Sequence, residues 1–215
     1  KVWQDAKEED SFEKVRPHLE ELLELKREYA KQIDSDREPY QVLFDDYEPY
    51  LSFEEVESAL NKLKDELPTI FENAEKTNEK FEVNLDEETE KELCKILSEA
   101  FGFDFDRGRL DLSSHPFTTG TQFDTRITTR FSDGLIESLL ITAHETGHGL
   151  YQQGLPQEHY GTALGSSREL SIHESQSRLW ENQVGRSKEF WKFFTSKLRE
   201  KGIEASSDQL FSIAN

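Results

Sequence analysis

The chain contains no methionine and only one cysteine, Cys94. A single thiol cannot close a disulfide within the chain, so a disulfide-stabilised scaffold is excluded. Its apolar neighbours Leu93, Ile96 and Leu97 predict a buried structural thiol rather than a nucleophile. Because no initiator methionine is present, we expect this chain to be an interior portion of a longer protein.

Long hydrophobic runs and positive charge are also scarce. No apolar stretch approaches the ~20 residues that span a bilayer, and nothing resembles a signal peptide. We therefore expect a cytoplasmic protein without a membrane partner. The 45 acidic residues outnumber the 26 basic ones, which gives a formal net charge of -19. So acidic a surface disfavours nucleic acid as a partner.

The first hundred residues are acidic and have the periodicity of amphipathic helices. Ser52 followed by Glu55 forms a capping box, and Asp86 is placed to cap a further helix. Pro39 and Pro49 predict a connection between helices. Apolar residues recur three to four positions apart, and we predict that these stripes are buried: Phe12, Val15, Leu19, Leu22, Leu23 and Tyr29, then Val56, Leu60, Leu63, Leu67 and Phe71.

The pattern changes after Gly102, which divides the chain into an acidic helical region, 1–102, and a metal-site region, 103–215. Residues 123–131 alternate, with Thr125 and Ile127 on a packed face and Asp124 and Arg126 on a polar one, which predicts a strand. An apolar helix starting at Ser132 or Asp133 and ending near Gly154 should be central and buried. A second buried helix is predicted from about residue 169 to 184.

Residues 144–148 read His-Glu-Thr-Gly-His and lie within the predicted central helix. Residues four apart share one face of a helix, so His144 and His148 can bind one divalent metal ion. Glu145 points differently and can accept a proton from a water at the metal. The pattern is typical of metallopeptidases.

A catalytic zinc needs a third protein ligand and one position open for water. Glu174 is the candidate, because it lies on the next predicted helix and no third histidine follows His148 closely. Arg178 lies four residues further on and can orient that ligand. His173, the residue directly before Glu174, is a candidate for supporting the site.

Four blocks in order carry a resemblance to a known family: His-Pro-Phe at 115–117, Asp-Thr-Arg-Ile-Thr at 124–128, the 144–148 motif, and His-Glu-Ser-Gln-Ser-Arg at 173–178. With these blocks the chain resembles the M32 family of metallocarboxypeptidases, the carboxypeptidase Taq family. The resemblance covers essentially the whole chain. It implies His144, His148 and Glu174 as metal ligands and Glu145 as general base. It also implies that His115, Asp124, Arg126 and Thr128 line the cleft.

The family's properties become expectations for this chain. They are a mainly α-helical zincin-type fold, two-lobed, with a deep groove and a small sheet beside the metal helix. They also include zinc or cobalt as cofactor, homodimer formation, and removal of single residues from peptide C-termini. Two family blocks, Ile-Arg-x-x-Ala-Asp and Gly-x-x-Gln-Asp-x-His-Trp, do not occur in this sequence. Because these blocks are missing, the resemblance predicts the metal site of this chain but does not predict that this chain alone is active.

Other functional classes remain open at this point. An M3-like oligoendopeptidase shares the metal motif, but those sequences tend to carry another histidine where Tyr151 stands here. A structural metal site is usually closed and rich in cysteine, which this sequence is not. A third alternative is a metal-binding piece without turnover. If the chain is a carboxypeptidase, Arg126, Arg130 and Arg178 are the candidates for binding the substrate carboxylate.

Overall fold

The computed structural model describes residues 2–74, 80–131 and 134–215, which form two compact units, Lys1–Asn73 and Ala74–Asn215. The first described residue of the central helix is Leu135, so the predicted starts at Ser132 and Asp133 lie outside the described residues. We predicted that the two regions, 1–102 and 103–215, belong to one catalytic domain, and both this and the boundary at residue 102 stay predictions.

All of the regular secondary structure described in the first unit is helical. It comprises α1 (Val2–Glu8), α2 (Arg16–Ile33), α3 (Pro39–Tyr47) and α4 (Phe53–Asn73). The Ser52 side chain accepts a hydrogen bond from the backbone N–H of Glu55 at 3.3 Å, as the capping box predicts. The segment between Pro39 and Pro49, predicted as a connection, is mostly helix α3, because proline is well tolerated in the first turn of a helix.

The predicted burial of the two apolar stripes in this unit is wrong. Leu22 on α2 is 52% exposed, and Phe71 on α4 is 69% exposed. The only buried residue of α2 is Ala30. Periodicity correctly indicated helices, but burial requires a covering surface, and the described part of the chain does not cover these faces.

The second unit is built around α6 (Leu135–Gln153), which carries the histidine motif. Helix α6 packs against α5 (Glu87–Phe101), the sheet, and α7 (Leu170–Arg178). A π-helical segment, Leu179–Gly185, continues α7 and also contacts α6. Then come α8 (Lys188–Glu200) and α9 (Ser207–Ala214). Helix α6 is therefore the central buried helix that its composition predicted.

A three-stranded sheet covers one side of α6. Its order is β1 (Gly108–Leu112), β3 (Asp124–Thr129), β2 (Thr118–Thr121), with β3 parallel to β1 and antiparallel to β2. Thr125, Ile127 and Thr129 are buried, which confirms the predicted packed face of the strand. Phe123 was predicted on that face but lies before β3 and is 46% exposed.

Helix α5 forms the other main wall of the core. Asp86 accepts a hydrogen bond from the backbone N–H of Thr89 at 2.8 Å, which confirms its predicted capping role. Leu93, Cys94 and Leu97 are fully buried against the core. Burial raises the pKa of the Cys94 thiol to about 12, so this cysteine is a neutral structural side chain at neutral pH.

Candidate metal centre

Helix α6 presents both histidines of the motif on one face. The rings of His144 and His148 lie 4.9 Å apart between centroids, the neighbour relation expected for positions one turn apart. Glu145 is buried, with 6% of its surface exposed, and it lies on the side of α6 that faces strand β2. The helix therefore directs His144 and His148 to one face and the carboxylate of Glu145 to another.

Helix α7 brings Glu174 to the two histidines. Glu174 Oε2 lies 3.3 Å from His148 Nε2 and 3.6 Å from His144 Nε2. Ligand atoms about 2.0–2.1 Å from a tetrahedral ion lie about 3.3 Å from one another. The three side chains offer donor atoms that all lie within 4.8 Å of each other. This donor set, two imidazoles and one carboxylate, fits a divalent metal such as zinc.

The close approach of α6 and α7 depends on Gly147. A Cβ atom added at this position would lie 2.6 Å from the backbone oxygen of Gln176 and 2.7 Å from Cα of Ser177. Any larger side chain would therefore separate the helix that carries the histidines from the helix that carries Glu174. Gly149 lies on the opposite face of α6, where an added Cβ would lie 2.6 Å from the Phe103 ring.

Burial and charge set the protonation of the cluster. Desolvation lowers the pKa of His148 to about 4, with help from the neighbouring His173 and His144, so His148 is neutral near pH 7. Burial alone would lower the pKa of His144, but hydrogen bonding to Glu181 and nearby carboxylates raise it overall. Burial alone would raise the pKa of Glu174, but its hydrogen bond with Ser177 and the charge of His144 lower it. A neutral imidazole and an ionised carboxylate are the forms that bind metal.

Glu145 occupies a different environment from Glu174. Desolvation raises its pKa above the ordinary value, and a hydrogen bond with Thr118 partly offsets this effect. The Thr118 hydroxyl lies 2.7 Å from Glu145 Oε2 and 3.0 Å from the Glu145 backbone oxygen. Thr118 therefore links strand β2 to this carboxylate and limits its orientations.

A second layer of side chains contacts the cluster. His148 Nδ1 lies 2.6 Å from His173 Nδ1, and the His173 ring packs against the Tyr151 ring with centroids 4.9 Å apart. The Arg178 guanidinium donates from Nε to Glu174 Oε1 at 2.9 Å. The structure thus brings both predicted supporting residues, His173 and Arg178, into contact with members of the cluster.

Two cavities meet at His144 and Glu145. The larger, about 670 Å³, contains the whole three-residue cluster and His115 in its lining. The smaller, about 200 Å³, is lined by two arginines and three glutamates, together with His115. Its charged lining residues are Arg130, Glu137, Glu145, Arg178 and Glu181. His115, predicted from the sequence, is thus placed beside the cluster.

The other predicted cleft residues are placed differently. Asp124 and Arg126 form an ion pair with each other, Nη2 to Oδ2 2.8 Å, and both are about half exposed on β3. Neither is among the described residues that line the two cavities at the cluster. Thr128 is buried, and its hydroxyl bonds to the backbone of Phe117, accepting from N at 2.7 Å and donating to O at 3.0 Å. Thr128 therefore holds the backbone of Phe117, which directly follows His115 and Pro116 in the chain.

Two contacts were not predicted from the sequence. Thr118 directly follows the His-Pro-Phe block, which is the one local signal that could have indicated it. Glu181 bonds to His144 Nδ1 at 2.8 Å and lies seven residues after Glu174, about two helical turns. That spacing places both carboxylates on the same side of one helical segment, and this was the available signal.

The fold and the cluster define a mainly helical protein with the ligand set of a metallopeptidase. The family model for carboxypeptidase Taq (M32) metallopeptidases matches residues 1–213. The chain belongs to this family, which confirms the resemblance based on the four sequence blocks. The three-stranded sheet and the helices around it are those of M32 carboxypeptidases.

Relatives with a known name or structure support this assignment. Thermostable carboxypeptidase 1 of Pyrococcus furiosus is 36% identical over 212 residues, which are 93% of this chain and 42% of that protein. Thermostable carboxypeptidase 1 of Thermus thermophilus is 34% identical over 92% of this chain and 42% of that protein. The structure of metallocarboxypeptidase 1 of Trypanosoma cruzi matches with a TM-score of 0.84 and 30% identity, over 99% of this chain and 45% of that one. The chain thus spans about 42% of the length of these curated relatives.

No helix in the described ranges is long and apolar enough to cross a membrane.

Proposed function

We propose that this chain carries the catalytic centre of a metal-dependent carboxypeptidase, which removes single residues from the C-termini of peptides. One observation carries the proposal. The three ligand residues His144, His148 and Glu174 meet in a cavity that also contains the buried carboxylate of Glu145. Structural metal sites are closed by four protein ligands. Here three ligands of the described chain border an open cavity, which favours a catalytic site.

The proposed cofactor is zinc, with cobalt as the alternative. A divalent cation held by these residues would act as a Lewis acid, which would lower the pKa of a water ligand to about 7 and polarise the scissile carbonyl. His144 and His148 would offer imidazole nitrogen donors, and Glu174 would offer a carboxylate oxygen donor. Ser177 and Arg178 hold the Glu174 carboxylate in place, at 3.0 Å from Oε2 and 2.9 Å from Oε1 respectively.

Glu145 is the proposed general base. Its raised pKa brings it closer to neutral pH, where a carboxylate is more effective at accepting a proton and returning it as an acid. Thr118 orients its Oε2, so that Glu145 accepts a proton from the attacking water and passes it to the leaving amine. This role requires Glu145 to be distinct from the metal ligands, and its position beside Thr118 meets that requirement.

The substrate is a peptide with a free C-terminal carboxylate, which a positive group must bind. Among the three arginines considered, Arg130 and Arg178 line the smaller cavity beside Glu145, whereas Arg126 is paired with Asp124. Arg178 also bonds to Glu174 and Glu181. We therefore propose that the carboxylate of the substrate binds in the smaller cavity, which Arg130, Arg178 and His115 line. The predicted contact of Asp124, Arg126 and Thr128 with substrate stays a prediction.

The remaining family properties extend the proposal. The zincin-type, two-lobed body with a deep groove, the homodimer and the cytoplasmic location are inferred from family membership and from the sequence composition. A narrower alternative also has specific support. Because the chain spans about 42% of its curated relatives, it can hold the metal site without catalysing turnover alone.

A mass-spectrometric time course on one mixed-sequence peptide tests the proposal. The peptide is supplied with a free C-terminus and with an amidated one. The protein is loaded with zinc or cobalt, and its Glu145→Gln variant, loaded in the same way, is the control. We expect successive losses of single residues from the free C-terminus, blocked by amidation and absent in the variant.

The other outcomes distinguish the alternatives. Internal cuts in both peptides would replace the carboxypeptidase assignment with an M3-like oligoendopeptidase. Absence of cleavage while metal is bound would show that this chain holds the site but not the whole enzyme. Absence of metal binding would overturn the proposed site itself.

A further inference from the structure

Glu181 is a partly buried carboxylate that contacts His144, a proposed metal ligand, at the ring nitrogen that does not face Glu174. Its Oε2 lies 2.8 Å from His144 Nδ1, and 13% of its side chain is exposed. The other ring nitrogen, His144 Nε2, lies 3.6 Å from Glu174 Oε2. One imidazole is therefore held between two carboxylates that lie about two turns apart on α7 and its π-helical extension.

The π-helical segment places Glu181 in this position. An added Cβ at Gly185 would lie 3.4 Å from Leu140 and 3.6 Å from Ala143, so the end of the segment rests on α6 just before His144. Helical turns of this type are rare and frequently occur at functional sites. The close contact of the two helical segments explains why a carboxylate 37 positions along the chain reaches His144.

Two arginines hold the Glu181 carboxylate. Arg178 Nη1 lies 3.3 Å from Oε2, and Arg186 Nη2 lies 3.3 Å from Oε1. A buried charge is stable only when it is paired, and these contacts pair it. A carboxylate with a guanidinium group on each of its oxygens is the ionised form. Both of its oxygens therefore act only as acceptors.

An ionised carboxylate at Nδ1 determines which nitrogen of His144 carries the proton. Because Glu181 can only accept, Nδ1 must donate, and in the neutral imidazole the lone pair is left on Nε2, the nitrogen that faces Glu174. Such carboxylate–histidine pairs fix the ring orientation and increase the basicity of the ligating nitrogen. We propose that Glu181 is the positioning residue for His144: it holds the Nδ1–H tautomer and so raises the affinity of the site for its metal. This inference rests on the proposed function.

A purely structural role for Glu181 makes a different prediction. If the carboxylate only joined Arg178 and Arg186, its loss would lower the stability of the fold without changing the state of His144. Metal affinity and the His144 tautomer therefore separate the two roles, whereas activity or stability alone does not.

The test measures zinc affinity by competition with a chromophoric chelator for the wild type and for Glu181→Gln and Glu181→Ala. Glutamine keeps the shape but replaces one acceptor oxygen with a donor group. We expect the zinc dissociation constant to rise about tenfold in the Gln variant and up to about 100-fold in the Ala variant. The matched control is Glu189→Gln on α8, whose side chain is 81% exposed, and its affinity should equal that of the wild type.

The second readout is the tautomer of His144, observed by NMR on metal-free protein with ¹⁵N-labelled histidine at a pH where the imidazole is neutral. The wild type should show a protonated Nδ1, and the Ala variant should lose this slowly exchanging proton. Unchanged affinity and an unchanged tautomer in both variants would overturn the inference, even if stability fell. Glu174→Gln separates the two proposals. If it weakens zinc binding and the Glu181 variants do not, only this inference fails; if the wild type binds no zinc, both fail.

Discussion

The close approach of α6 and α7 at Gly147 predicts that replacing this glycine with alanine destabilises the protein. Helix propensity alone predicts the opposite effect on stability. Gly147 lies inside a helix, where replacing glycine with alanine ordinarily stabilises by about 1 kcal/mol. Here the new methyl group would lie 2.6 Å from the Gln176 backbone oxygen and 2.7 Å from the Ser177 Cα. Both atoms belong to the backbone of α7, so no side chain can move aside to make room.

The magnitude follows from these two distances. Non-bonded carbon atoms are separated by about 3.5 Å or more, so the helices must separate locally by about 0.8 Å. Overpacking of this kind costs about 1–3 kcal/mol, which exceeds the gain from helix propensity. Gly147→Ala should therefore lower the free energy of unfolding by up to about 2 kcal/mol.

The same displacement should weaken the metal site. Glu174 lies on α7 two residues before Gln176 and contacts both histidines across this interface. Metal sites require ligand positions within about 0.5 Å of the productive geometry, and a shift of about 0.8 Å exceeds that limit. We expect the zinc dissociation constant of Gly147→Ala to rise by about tenfold or more.

Denaturant unfolding and chelator competition measure the two effects. Gly154→Ala is the matched control, because Gly154 ends the same helix with a right-handed backbone (φ -80°). Its added Cβ would lie 3.1 Å from the carbonyl oxygen of Leu150, in its own helix rather than in a neighbour. This control should stay within about 1 kcal/mol of the wild type. If Gly147→Ala were more stable than the wild type and bound zinc equally well, the argument from close approach would be refuted.

Two further predictions concern protonation. In metal-free protein, His148 stays neutral down to about pH 4, whereas an unfolded histidine takes up a proton near pH 6.5. The unfolded state therefore binds more protons in this window, and the contribution of His148 to stability is lost as the pH falls from 6.5 to about 4. The stability difference between the wild type and His148→Gln, measured by denaturant titration, should decrease over that range; a constant difference would contradict the assignment. In catalytically active protein, Thr118→Val removes the hydrogen bond that lowers the pKa of Glu145. The acidic limb of the kcat/KM pH profile should move to higher pH, while Thr118→Ser should leave it in place; an unmoved limb in the Val variant would exclude this role for Thr118.

The sequence predicted those parts of the fold that depend on local periodicity. The end of α6, its central position, the cap at Asp86 and the packed face of β3 follow from the spacing of apolar and polar residues, and the structure confirms them. Burial of the stripes on α2 and α4 was predicted by the same rule and is wrong, because burial depends on a second surface. The pairing of β1 with β3 in parallel was not predicted, since register between separate strands has no local signal.

The candidate site shows the same division between local and tertiary information. His144 and His148 are four residues apart, so helix geometry alone places them together, and Glu174 follows from the need for a third ligand on a neighbouring helix. Thr118 and Glu181 lie 27 and 37 positions away from their partners Glu145 and His144. Their contacts depend on how β2 and the π-helical segment pack on α6. The grouping of His144, His148 and Glu174 could therefore be predicted before the fold was known, whereas the contacts of Thr118 and Glu181 required the structure.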